Sequence, residues 1–154
     1  MPLISPPRPA KLRAIMTIQA VLLPLFVHVV LTFVLLVWAG WLRVDAVRSG
    51  VVNSRDVALR EPNWPPHIRQ VAYAFQNQFE LPLLFYVLTI LAWITKQADL
   101  LFVVMAWIFV LLRIGHAAVY VTSNNMGQRA SWFGLSAIVL AIMWVIFMLR
   151  ILLA

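Results

Sequence analysis

The chain has no cysteine, which excludes disulfides, thiolate metal sites and a cysteine nucleophile, so any thiol chemistry has to come from a substrate. Charge is almost as scarce: 11% of the 154 residues are charged, where soluble domains carry about 25%. Acids are the rarest, with five Asp and Glu against twelve Lys and Arg. A carboxylate pair for acid–base work is therefore not expected. The five glycines build no phosphate-cradling loop, and neither HExxH nor GxSxG occurs. His28, His67 and His116 lie in three different segments without metal-ligand spacing, so no metal site is expected.

What is present is apolar. Hydrophobic residues make up 64% of the chain, and they fall into four long runs. A span needs roughly 20 apolar residues, so four spans with short connections nearly exhaust the chain. The expected fold is all-α: an integral membrane four-helix bundle in one domain, 14–154, behind a Pro-rich polar leader, 1–13. The helices are placed at 14–42, 68–95, 100–122 and 129–153, with Pro24 as a kink in the first. The first run is too long for the ~7–15-residue core of a secretory signal and is read as a retained span.

The net charge of +7 comes mainly from arginines at segment ends, where lipid phosphates lie. Basicity is thus read as anchoring to membrane lipids, and no nucleic-acid partner is expected. Counting Arg8, Lys11, Arg13 and Lys96 against Arg43, Arg48, Arg55, Arg60 and Arg129 weakly places the long loop, 43–67, in the cytoplasm. That loop is longer than an unstructured connection usually is, which suggests partial order or a lid.

Polar residues interrupt the second run where lipid is expected, at Asn77-Gln78-Phe79-Glu80. A carboxylate at a bilayer centre costs roughly 2.5–3.5 kcal/mol on insertion scales. Arg69, Tyr73, Asn77 and Glu80 recur at helical spacing and share one face; Arg113, His116, Tyr120 and Asn124 form a second stripe on the third helix. At 1.5 Å rise per residue, Glu80 and Arg113 both lie roughly 16–18 Å in from the loop-side helix ends. We read Glu80 as the lone buried acid, with Arg113 level with it, joined by an ion pair or a shared hydrogen-bond network. Either helix–helix glue or a small-molecule site explains the stripes. The arginines and phenols favour an anionic guest. His28 is read as a packing residue or, alternatively, a ligand contact.

Asn77-x-x-Glu80-x-Pro82, followed by Arg113-x-x-His116-x-x-x-Tyr120 and then Arg129, in a four-span chain, resembles the MAPEG family of membrane-associated proteins in eicosanoid and glutathione metabolism. The resemblance is to a bacterial-type member and covers nearly the whole chain. It implies a homotrimer in the bacterial inner (plasma) membrane, with glutathione as co-substrate bound between subunits. By position it implies ligand-binding roles for Asn77, Glu80, Arg113 and Tyr120, with Arg43 as a further candidate, and a catalytic role for Arg129 beside the thiolate; Arg69, Tyr73 and His116, read from the two polar stripes, complete the candidate ligand-binding set. Three features depart from the pattern: Tyr73 stands where an arginine is typical, the Tyr120–Arg129 spacing is slightly longer, and His116 stands where several members have an aromatic.

The activity so implied is a glutathione- or related thiol-dependent transferase or peroxidase acting on an apolar electrophile. The alternatives are a non-catalytic lipid-binding or scaffold member of the same fold, and a small transporter subunit using Glu80 as carrier.

Overall fold

The computed structural model describes residues 16–58 and 63–153; the leader 1–13, with Arg8, Lys11 and Arg13, and the loop residue Arg60 lie outside them. Among the described residues the structure is all-helical: α1 (Ile18–Arg48), α2 (Pro66–Gln76), α3 (Leu81–Ile94), α4 (Leu100–Val121) and α5 (Met126–Leu152). A short 3₁₀ turn, Asn77–Phe79, joins α2 to α3. With α2 and α3 taken together as Pro66–Ile94, four segments are long and apolar enough to cross a membrane.

The second run is therefore broken rather than continuous over 68–95. Pro82 has no N–H, and its ring would clash with the carbonyl of Gln78 in an unbroken helix. Glu80 takes φ −89° and ψ −101°, and α3 restarts at Leu81 with Pro82 in its first turn. The first helix differs as well: it runs past Leu42 to Arg48 and passes through Pro24 without ending. The loop is correspondingly shorter.

The described residues of that loop pack around a small core of their own. Val52 and Val57 pack with Ala46 and Ile68, against Leu42 and Trp64. The Asn53 side chain accepts from the Arg55 amide at 3.1 Å, and Asn63 Nδ2 donates to the Asp56 carbonyl at 2.8 Å. The first is an Asx turn, which replaces helix with a defined reversal.

The main core lies between α3, α4 and α5, with Val21 of α1 added: Phe85, Leu88, Phe109, Val110, Leu140 and Met143 are all buried there. α1 buries one stripe only, Val21, Pro24, His28, Leu35, Ala39 and Ala46. Its other faces expose Leu23, Phe26, Val30, Phe33 and Val37, which suits a helix solvated by acyl chains.

The two ends of the bundle are tied differently. At the end away from the loop, Lys96 adopts φ 57° and the α3 terminus closes through Gln97 N–H to Ala92 O (2.8 Å) and Lys96 N–H to Trp93 O (3.1 Å). Asp99 caps α4 by accepting from the Phe102 amide at 3.0 Å, and its second oxygen lies 2.8 Å from Arg150 Nη2 at the end of α5. At the loop end, α4 and α5 approach closely. A Cβ on Gly115 would stand 2.8 Å from the Trp132 ring, so only glycine admits that indole.

Candidate functional site

The helix break releases a backbone acceptor. In a continuous helix the Asn77 carbonyl would take the Leu81 N–H; here its contact on that side is Glu80 N–H at 3.5 Å. Arg113 reaches across from α4 and fills the gap, its Nη2 donating to Asn77 O at 3.0 Å and to Asn77 Oδ1 at 2.5 Å. Asn77 Nδ2 in turn donates to Glu80 Oε2 at 2.8 Å. Arg113 and Glu80 thus share a network bridged by Asn77. The expectation of a buried acid is corrected: Glu80 is exposed on the outside of the chain, while Arg113 is 0% exposed. The 3₁₀ turn carries the carboxylate outward as it turns the Asn77 carbonyl inward.

His28 is a packing residue here. It is fully buried, its Nδ1 lies 2.7 Å from the Tyr86 oxygen, and its ring stacks on Phe109 with centroids 6.3 Å apart. The Thr32 hydroxyl donates to the His28 carbonyl at 3.0 Å. Tyr86 was not singled out by spacing, because a phenol in an apolar run reads as one more aromatic.

The residues at the loop end form an open cavity of about 390 Å³, lined by Pro66, Arg69, Gln70, Tyr73, Tyr120, Asn124 and Arg129. Three helices contribute. Arg129 enters from the first turn of α5, which Asn125 caps by accepting from the Gln128 amide at 3.0 Å. Its guanidinium carbon lies over the Tyr120 ring, 3.6 Å from the centroid, and Nη1 donates to Asn124 Oδ1 at 2.6 Å. Asn124 has φ 48°, a left-handed conformation that asparagine tolerates. The Nε atoms of Arg69 and Arg129 are shielded and have no hydrogen-bond partner. Two guanidiniums and two phenols thus surround one opening, and guanidinium N–H groups are donors suited to carboxylates and other anions.

Of the residues singled out in the sequence, Arg69, Tyr73, Tyr120 and Arg129 meet in this cavity, whereas Arg43 does not. It lies in a separate groove of about 290 Å³ between α1 and α2, with Gly40, Ala72, Phe75 and Gln76 among its walls. Its guanidinium sits 5.5 Å from the Trp64 ring centroid. Asn77 and Glu80 lie deeper than the cavity, at the helix break. Arg113 and His116 stand behind it: His116 is 3% exposed and packs edge-on against Tyr120 with centroids 5.8 Å apart. Gln70 is a further cavity residue, one that the polar stripes do not include. Its spacing to Tyr73 and Asn77, three and seven residues, was the available signal.

Among the described residues no group of three His, Asp or Glu is placed to hold a metal. A comparison with curated proteins and one with solved structures each found no match. A comparison with protein-family models matched the MAPEG family over residues 21–149, a stretch that takes in all five helices but for the first residues of α1 and the last of α5. The four apolar helical spans, the absence of strands among the described residues and that match together lead to one conclusion: this chain is a multi-pass integral membrane protein and belongs to the MAPEG family.

Proposed function

We propose that the protein uses glutathione or a related thiol to act on apolar electrophiles that reach it through the lipid, as a transferase or as a lipid-peroxide reductase. The observation that carries this reading is the cavity at the loop end, where Arg69 and Arg129 line one opening together with Tyr73 and Tyr120. An anionic thiol suits that electrostatic field. A free thiol has a pKa near 8.5, and adjacent cations favour the thiolate, which is the nucleophile. Arg129 is the cation we assign to the sulfur, and Arg69 to a carboxylate. Asn77, held by Arg113, and Glu80 add polar groups deeper in the span, at the helix break.

The protein's part is position and charge. In conjugation the thiolate sulfur forms a bond to carbon, and the leaving group departs with the electrons of the bond that breaks. In peroxide reduction two thiols are oxidised to a disulfide while the hydroperoxide becomes an alcohol and water. Neither course requires a covalent bond to the protein.

Self-association belongs to the same proposal. Glu80 stands at the centre of the Pro66–Ile94 span yet is exposed on the single chain. Bare contact of a carboxylate with acyl chains is costly, and a second copy over this face removes that cost. We assign self-association on this ground, and a count of three copies rests on the family resemblance alone.

Calorimetry on detergent-solubilised protein tests the reading. Saturable glutathione binding, weakened by Asn77→Ala, with a thiolate absorbance lost in Arg129→Ala, is the expected result. No binding at millimolar glutathione overturns it and turns attention to a second reading, a lipid-binding member without catalysis. One observation favours that alternative: an apolar groove of about 520 Å³ on the outer face of α1, walled by Val30, Phe33, Val34, Val37, Trp38 and Trp41, which fits an acyl chain.

A further inference from the structure

We propose that Gln70 is a positioning residue for Arg129, a role that rests on the reading of Arg129 as the thiolate cation but is measurable without it. Helix α4 ends beside the cavity, and a helix terminus leaves its last carbonyls without intrahelical donors. Gln70 supplies the donor from another helix. Its Nε2 donates to Tyr120 O at 2.6 Å and to Thr122 O at 3.2 Å. The turn also has internal bonds: Thr122 N–H and the Thr122 hydroxyl donate to Ala118 O at 3.1 and 2.6 Å, and Asn124 N–H donates to Val119 O at 2.8 Å.

The turn that Gln70 pins is the one on which Arg129 rests. Tyr120 provides the ring under the guanidinium, and Asn124, four residues on, accepts from its Nη1. A stacked cation depends on the plane and distance of the ring below it, and a ring at a fraying helix end holds neither. Gln70 thus acts on Arg129 through two intermediaries, the Tyr120 ring and the Asn124 carboxamide. It is half-buried in the cavity wall, next to Arg69, and its nitrogen is committed to the two carbonyls. What the site asks of this position is a donor. Glutamate at the same length offers the carbonyls only acceptors and leucine offers nothing, whereas lysine still donates.

The first readout is reaction of the intact, lipid-reconstituted protein with an arginine-directed dicarbonyl, quantified per residue by mass spectrometry, with exposed Arg55 as internal standard. Labelling of Arg129 relative to Arg55 rises about five-fold in Gln70→Leu and Gln70→Glu, the scale of one lost hydrogen bond. In Gln70→Lys it stays near wild type. Tyr120→Leu produces a rise of its own, and adding Gln70→Leu to it produces no further one, because both act through the same ring.

An unchanged Arg129 rate in the leucine and glutamate variants overturns the assignment, as does full additivity with Tyr120→Leu. A rise that Gln70→Lys shares overturns the donor argument. The second readout is the pH midpoint of the bound-glutathione thiolate absorbance, expected to move upward in Gln70→Leu. A wild type that shows no thiolate at all removes the thiol reading, and the labelling experiment still decides the role of Gln70.

Discussion

The Arg113 guanidinium is bound to a single residue twice, to the main-chain carbonyl of Asn77 at 3.0 Å and to its side-chain oxygen at 2.5 Å. A fully buried cation in a membrane helix thus takes its partner from a helix break rather than from an acid. Pro82 makes the carbonyl available, and Arg113 makes the break tolerable, since an unsatisfied carbonyl in a bilayer core costs several kcal/mol. The two features belong to one device. That device fixes where α2 ends, and so where Asn77 and Glu80 stand.

Replacing Asn77 by leucine leaves Arg113 with the carbonyl alone and deprives Glu80 of its donor at 2.8 Å. The expected cost is about 1–3 kcal/mol, the penalty for a buried donor that loses an acceptor. A thermal or denaturant titration in detergent measures it, and Asn77→Asp, which restores the acceptor to Arg113, should recover part of the loss.

Gly115 should tolerate no side chain. Gly115→Val places atoms in the Trp132 ring, whose nearest carbon is 2.8 Å from the Cβ position. Overpacking of this kind costs about 1–3 kcal/mol. Since Trp132 lies one helical turn after Arg129, cavity affinity should fall along with stability. Trp132→Leu in the same protein should restore stability, and failure to do so would locate the strain elsewhere.

At the opposite end, Asp99 has two roles that substitution separates. Asp99→Asn keeps an oxygen for the Phe102 amide and loses the charge facing Arg150; Asp99→Ala loses both. Alanine should cost about 1 kcal/mol more than asparagine, the usual worth of an N-cap. Equal losses would mean the cap contributes nothing.

Arg129→Ala should lower kcat for thiol transfer about 10²-fold, the scale of removing one preorganised charge contact. Helicity and assembly should be unchanged, because its bonds are to the Tyr120 ring and Asn124 at the protein surface. Asn125→Ala should give a smaller loss, since it frays the α5 turn that carries Arg129 without deleting the guanidinium. An alanine at 129 that leaves the rate untouched would remove the thiolate assignment.

By itself the sequence determined the class of structure. Long apolar runs with few charges have no fold open to them in water, and in a bilayer only a helix satisfies its own backbone over such lengths. It also determined which residues share a helix face, because 3.6 residues per turn aligns Arg69, Tyr73 and Asn77, and separately Arg113, His116 and Tyr120. Their meeting at one end of the bundle follows from short connections and antiparallel packing.

Only the tertiary structure decided how each helix is rotated against its neighbours. That rotation is a matter of packing, such as Trp132 seated on Gly115, and no periodicity within one helix specifies it. So the network between Arg113 and Glu80 was legible from depth, while the exposure of Glu80 was not. Arg43 is parted from Arg69 and Arg129 for the same reason, since α1 meets a different face of α2. Gln70 shows the limit most plainly: a polar residue among several in the sequence becomes the cap of another helix only once α4 ends within its reach.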